Sequence, residues 1–190
     1  MAGVTQRHAS LLQAESVGLI VVDVQEGFRP VIDRFDETVR NCRILIEGFS
    51  ALGAPILVSE QYPKGLGATI SELASVLPST TPIVEKLRFS AIGVDGIDTA
   101  LAGAGRTHWV VCGIETHVCV AQTAHDLIAA GYHATIAADA TSSRSPSNVT
   151  LGLEKCGRAG VEISSTEMIL FEMLEIAGSD AFKAISKLVR

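Results

Sequence analysis

Short apolar runs alternate with segments of helical period along the whole chain. The first run, Val17–Val22, carries no charged residue and ends at Asp23. Five more follow, at Ala54–Val58, Pro82–Glu85, His108–Cys112, Ala134–Ala138 and Val161–Ser164. Runs that are apolar almost throughout suit strands covered on both faces, as in a parallel sheet. Between them the spacing predicts helices near Asp36–Leu52, Asp95–Ala104, Thr116–Ala130, Ser147–Ala159 and Ser179–Val189. Thr116 reads as an N-cap and Gly131 as a stop. Tyr62–Gly67 reads as a Gly-rich loop.

Six strands joined by crossover helices predict an α/β fold: a doubly wound, six-stranded parallel sheet with helices on both faces, Rossmann-like in plan. In the order 3-2-1-4-5-6, strands one and four are neighbours where the winding reverses. Ligands bind such sheets at the carboxyl ends of the strands, at that switch point. Asp23 follows the first strand and Cys119 lies just beyond the fourth, so the topology sets both on one crevice. Neither a repeat nor a linker interrupts the pattern. A single domain over residues 1–190 is expected, with 1–15 a loosely ordered N-terminal extension.

Composition narrows the class. The chain has 190 residues, 47% apolar and 19% charged, with a formal charge of -6. That sign, and the lack of Lys/Arg stretches with interleaved aromatics, argues against nucleic acid as a partner. No run approaches the roughly 18 apolar residues of a membrane span. The N-terminus does not read as a signal peptide. The four cysteines sit in apolar or helical segments instead of a disulfide scaffold. A reduced, cytoplasmic protein is expected.

Three residues could carry chemistry. Cys119, about three residues into its helix, stands where a helix N-terminus lowers a thiol pKa and where backbone N–H groups can serve an oxyanion. A buried structural cysteine is the other reading. Asp23 follows an apolar strand and is expensive to bury without a task, although a loop or capping aspartate would look the same. Lys86 ends the third run and would otherwise be an ordinary solvated lysine. Cys112, His117 and Cys119 lack a fourth partner at zinc spacing. The glycine pairs at Gly65 and Gly103 are not dinucleotide fingerprints. No metal or organic cofactor is called for. Arg88 and Arg144 are candidates for a substrate carboxylate, and Phe28, Tyr62 and Phe89 for pocket walls.

Taken together, the motifs Val21-Val22-Asp23-Val24-Gln25, Glu85-Lys86 and Gly113-Ile114-Glu115-Thr116-His117-Val118-Cys119-Val120 resemble the isochorismatase-like cysteine hydrolase superfamily. That superfamily includes nicotinamidases and N-carbamoylsarcosine amidases. The segments Glu60–Gly65 and Ala138–Ser145 bring the chain towards its isochorismatase-domain-containing hydrolases. The resemblance implies an Asp23–Lys86–Cys119 triad. Asp23 would take the thiol proton, Lys86 would hold the thiolate and orient Asp23, and Cys119 would attack a carbonyl to give a thioester. It also implies a cis peptide between Ile114 and Glu115, aiming the N–H groups of Glu115 and Cys119 at the oxyanion. Gln25, Phe28, Tyr62, Arg88 and His117 are expected to bind a small-molecule substrate.

Two departures matter. Nicotinamidases carry an Asp and several His metal ligands after the second strand, and here Ser59–Lys64 has no histidine. Isochorismatases proper, which cleave a vinyl ether, can lack the cysteine. The first disfavours a metal and nicotinamide as substrate; the second favours acyl chemistry, and hydrolysis of an amide-type C–N bond is expected. The alternatives are an ether hydrolase, a non-catalytic binding or scaffold protein, and a redox sensor with Cys112 as resolving thiol. Relatives imply a homo-oligomer, at least a dimer, formed through the helices after the later strands.

Overall fold

The fold is known from a computed structural model in which residues 7–190 are described. Six strands form one sheet: β1 (Val17–Val22), β2 (Ile56–Gln61), β3 (Ile83–Lys86), β4 (His108–Ile114), β5 (His133–Ser142) and β6 (Glu162–Ser164). Their order is β3-β2-β1-β4-β5-β6, and every pairing is parallel. This is the order supposed above for a doubly wound sheet, with β1 and β4 side by side at the switch point.

Alternate residues of the central strands feed two cores. Leu19 and Val21 of β1, with Val110 and Cys112 of β4, face α1 (Phe35–Ala51). Ile20 and Val22, with Trp109 and Val111, face the opposite layer. That layer holds α4 (Asp95–Ala104), α5 (Ala121–Ala129) and α6 (Pro146–Arg158). Because both faces are covered, the strands need no polar side, and the continuous apolar runs follow.

Several boundaries differ from expectation, and two of the differences build the site. Strand β2 begins later than predicted and runs on through Ser59, Glu60 and Gln61. Those residues escape an apolar pattern but still pair with Val84, Glu85 and Lys86 of β3. Thr116–Ala130 is not one helix. Thr116–Val120 forms a wide π-helical turn before α5 begins. Thr116 does not cap it, because its hydroxyl is buried and hydrogen-bonds the Thr141 hydroxyl at 2.9 Å.

The Tyr62–Gly67 loop contains one turn of helix, α2 (Pro63–Leu66), opened by a proline at its start. A second short helix, α3 (Ser71–Ala74), follows it. After β6 comes α7 (Thr166–Leu174), which the sequence pattern did not reveal, and then α8 (Asp180–Leu188). Of the expected N-terminal extension, residues 1–6 lie outside the described residues. In the remainder, Leu12 is buried in the α1-side core and its N–H donates to the Glu172 carboxylate at 3.1 Å.

Candidate active site

The carboxyl ends of β1, β2 and β3 deliver four polar side chains, Asp23, Ser59, Gln61 and Lys86, to one point. Asp23 leaves β1 in the left-handed region, with φ 54. This conformation is tolerated better by Asp than by most residues. Its backbone N–H still donates to Ser59 O at 3.0 Å, so the ladder continues while the carboxylate turns aside. Asp23 Oδ2 accepts from Lys86 Nζ at 2.7 Å, and Oδ1 accepts from the Ser59 hydroxyl at 2.7 Å. Both charged side chains are 0% exposed. A buried ion pair survives only when the remaining hydrogen-bonding groups are satisfied. Here Lys86 Nζ also donates to Gln61 Oε1 at 2.9 Å, to the Phe89 carbonyl at 2.9 Å and to the Arg88 carbonyl at 3.1 Å.

The cysteine arrives from the other side of the switch point. Gly113, at φ 114, lies beside β1, and a Cβ there would stand 2.1 Å from the Val22 carbonyl oxygen. Only glycine fits. The β4–β5 register shifts between Val111 and Gly113, and the Ile114–Glu115 peptide that follows is cis. The π-helical turn then closes with Val120 N–H donating to Glu115 O at 3.2 Å. Such wide turns recur at functional sites. This one brings Cys119, 5% exposed, close to Asp23 and to the Glu115 backbone N–H. Glu115 is itself fixed, because its Oε2 accepts from the Arg144 backbone N–H at 3.0 Å and from Arg144 Nε at 3.1 Å.

Burial dominates the electrostatics. It pushes the Cys119 thiol up to about 12, and the neighbouring Asp23 charge adds to the rise. Lys86 and the Glu115 N–H pull the other way but do not prevail. The expectation of a thiolate pre-formed by a helix terminus is therefore corrected: the resting group is a neutral thiol. Asp23 is raised as well, by burial first, with Lys86 and its hydrogen bonds opposing. A carboxylate raised in this way is a better proton acceptor.

The five residues expected to bind substrate divide. Tyr62, 51% exposed, lines a cavity of about 330 Å³ with Pro63, Lys64, Glu85, Lys86 and Leu87. Gln25 does not reach that cavity. Its amide is committed to the loop backbone, donating to Gln61 O at 3.0 Å and Gly67 O at 2.6 Å and accepting from Gln61 N–H at 2.7 Å. Phe28 packs on the α1-side core. The Arg88 guanidinium is turned to the Gly93 carbonyl at 3.5 Å, and only the Arg88 backbone serves the cluster. His117 bonds Ser143 Oγ at 3.0 Å and Asn148 Nδ2 at 3.3 Å and faces a separate cavity between α5 and α6.

Arg144 is paired with Glu115, not held ready for a ligand. Cys112 lies on the α1 side of the sheet and Cys119 on the other, so the thiol expected to resolve Cys119 is out of place. Among the described residues, no group of three His, Cys, Asp or Glu side chains is placed to hold a metal ion.

Sequence reasoning missed Ser59 and Gln61, which complete the ion pair. The available signal was polar residues ending an apolar strand beside Asp23 and Lys86.

These features define a doubly wound α/β protein with a buried carboxylate–ammonium pair and a cysteine at the switch point. The family model described as Isochorismatase domain matches residues 17–168, and the chain belongs to that family. It is 39% identical over 169 residues to "Isochorismatase domain-containing protein 1" of Danio rerio, covering 88% of this chain and 59% of that protein. It is 34% identical over 194 residues to "Secreted isochorismatase effector Isc1" of Phytophthora sojae, covering 100% of this chain and 91% of that one. Among solved structures, "MAR1 Ribonuclease" from Caenorhabditis elegans superposes with a TM-score of 0.90 at 32% identity, over 95% of this chain and 92% of that one.

Proposed function

We propose that the protein is a cysteine-dependent hydrolase that cleaves an amide-type C–N bond of a small molecule. The observation that carries this reading is the fully buried Asp23–Lys86 pair at 2.7 Å with the Cys119 thiol against it. Such a pair is costly to bury and contributes little stability by itself. Asp23 accepts the thiol proton as the sulfur attacks the substrate carbonyl, and a C–S bond forms. The N–H groups of Glu115 and Cys119 hold the tetrahedral oxyanion. Asp23 then returns the proton to the leaving nitrogen, the C–N bond breaks, and water hydrolyses the thioester. Lys86 keeps Asp23 in place throughout and favours its charged form before the first transfer and after the second.

The test is acylation by small p-nitrophenyl esters, followed by intact-protein and peptide mass spectrometry. A single acyl group on Cys119 is expected, absent in Cys119→Ala and slowed about 100-fold or more in Asp23→Asn. Acylation at other residues, or indifference to both substitutions, would remove the reading.

The worm protein's name favours a second reading, RNA cleavage. It is the weaker one, because RNA binding draws on cationic surface and this chain carries a formal charge of -6. Cys119-dependent degradation of RNA by pure protein would reverse that preference.

The active form is at least a dimer, packed through helices after the later strands, where Leu151 of α6 is 62% and Met168 of α7 55% exposed. Four unpaired cysteines fit a reducing, cytoplasmic setting. Among the described residues, no helix is long and apolar enough to cross a membrane.

A further inference from the structure

Lys86 presents three N–H groups to four oxygens: Asp23 Oδ2 at 2.7 Å, Gln61 Oε1 at 2.9 Å, the Phe89 carbonyl at 2.9 Å and the Arg88 carbonyl at 3.1 Å. All its donors are engaged within the protein, and the side chain is 0% exposed. An ammonium enclosed in this way has no hydrogen to offer a substrate or the sulfur. Its influence on Cys119 runs through its field and through Asp23. Two of its four acceptors are backbone and one is the base itself. Gln61 is therefore the one side chain that serves the cation without taking part in the chemistry.

The Gln61 amide has a single workable orientation. Its Nε2 donates to the Leu87 carbonyl at 3.0 Å. Reversing it would set an NH2 against the ammonium and a carbonyl against a carbonyl. Its backbone is pinned on both sides by Gln25, at 2.7 Å and 3.0 Å. The other nearby carboxylate, Glu60, is turned away and accepts from the Thr69 N–H at 2.6 Å and hydroxyl at 2.7 Å. The end of β2 thus holds the cation from one direction while Asp23 holds it from the other.

We propose that Gln61 is a positioning residue for the triad: its amide oxygen keeps the Lys86 ammonium seated on Asp23, and through that pair sets how readily the Cys119 thiol yields its proton. This rests on the cysteine-hydrolase reading above. Removing the oxygen takes away one of the four acceptors that fix the ammonium and lets it move off its seat, which weakens the positive field at the sulfur. A carboxylate at the same place competes with Asp23 for the ammonium and adds a negative charge, so it acts in the same direction and more strongly.

The experiment measures the rate of Cys119 alkylation by iodoacetamide at about pH 8.5, by peptide mass spectrometry. It compares folded wild type, Gln61→Met, Gln61→Glu and Lys86→Ala. Below the thiol's pKa the rate follows the thiolate fraction, roughly tenfold per unit. Gln61→Met is expected to slow alkylation roughly tenfold and Gln61→Glu further, with wild-type rates for both in denaturant. A purely structural glutamine would lower the melting temperature and leave the folded-state rate alone. A rate at or above wild type in Gln61→Met, with Lys86→Ala slowed, overturns the role of Gln61 and leaves the triad standing. A wild-type rate in Lys86→Ala overturns both. If Gln61→Met does not fold, Gln61→Glu, which keeps the side chain's shape, decides by the same readout.

Discussion

The Asp23 charge opposes ionisation of Cys119, while the thiol's hydrogen bond favours the Asp23 carboxylate, and removing Asp23 should have two opposite effects. The Asp23 charge helps hold the thiol up at about 12, while Lys86 pulls it down. In Asp23→Asn the cation faces the sulfur without a competing carboxylate. Alkylation of Cys119 should then become at least about tenfold faster, although ester turnover collapses because the proton acceptor is gone. Slower alkylation in that variant would mean that Lys86 does not act on the sulfur. In the wild type, alkylation should keep rising with pH and show no plateau below about pH 9. A second residue-scale effect lies at the amino end of the sheet, away from this chemistry. Burial, with the neighbouring His133 charge, lowers His108 from 6.5 to about 4. Between those values the unfolded chain binds the extra proton, so stability is complete above about pH 6.5 and falls as pH drops towards 4. The loss should be at most about 3 kcal/mol, read from urea unfolding, and His108→Gln should flatten that limb. An unchanged limb in the variant would place the acid sensitivity elsewhere.

The π-helical turn is the element on which the site depends, and α6 braces it. Gly152 of α6 lies so close that an added Cβ would stand 3.0 Å from His117 Cα and 3.2 Å from its nitrogen. Gly152→Ala should therefore push the turn or the helix aside, costing about 1–3 kcal/mol. It should also slow acylation of Cys119 with no change in the residues around Lys86. A variant of wild-type stability and reactivity would show that the turn holds itself. The sequence could not announce this turn. Thr116 looks like a helix cap, and only Thr141, 25 residues on, shows why it is not one. Helix α7 was hidden for another reason: Met168, Ile169, Leu170 and Phe171 run together, which blurs the 3.6-residue period. The positions of Asp23 and Lys86 were legible because each closes an apolar run and that of Cys119 because it follows the break at Gly113, while their grouping came from the motif resemblance. Ser59 and Gln61 were not, since an isolated polar residue carries no sign of its partner. Gln25 and His117 were assigned to substrate from their place in the motifs and Arg88 from the affinity of a guanidinium for a carboxylate, and their hydrogen bonds lead elsewhere.

Across the whole molecule, apolar surface collects at both ends of the sheet. Leu87 and Phe89 are exposed beyond β3, Leu151 and Met168 on the later helices α6 and α7, and Ile176 between α7 and α8. Light scattering should return at least twice the 20.0 kDa of one chain, and Leu151→Glu with Met168→Glu should lower it. A monomer at working concentration would remove that expectation. The chain's formal charge of -6 sets how it meets ions and substrates in solution. The ion pair beneath Cys119 is indifferent to that field for a simple reason. Carboxylate, ammonium and thiol sum to zero, and passing the proton from sulfur to carboxylate leaves the sum at zero. Added electrolyte should accordingly leave the opening step of the reaction alone. Whatever ionic-strength dependence turnover shows then reports on the approach of a charged substrate, and its sign gives that substrate's charge before its identity is known.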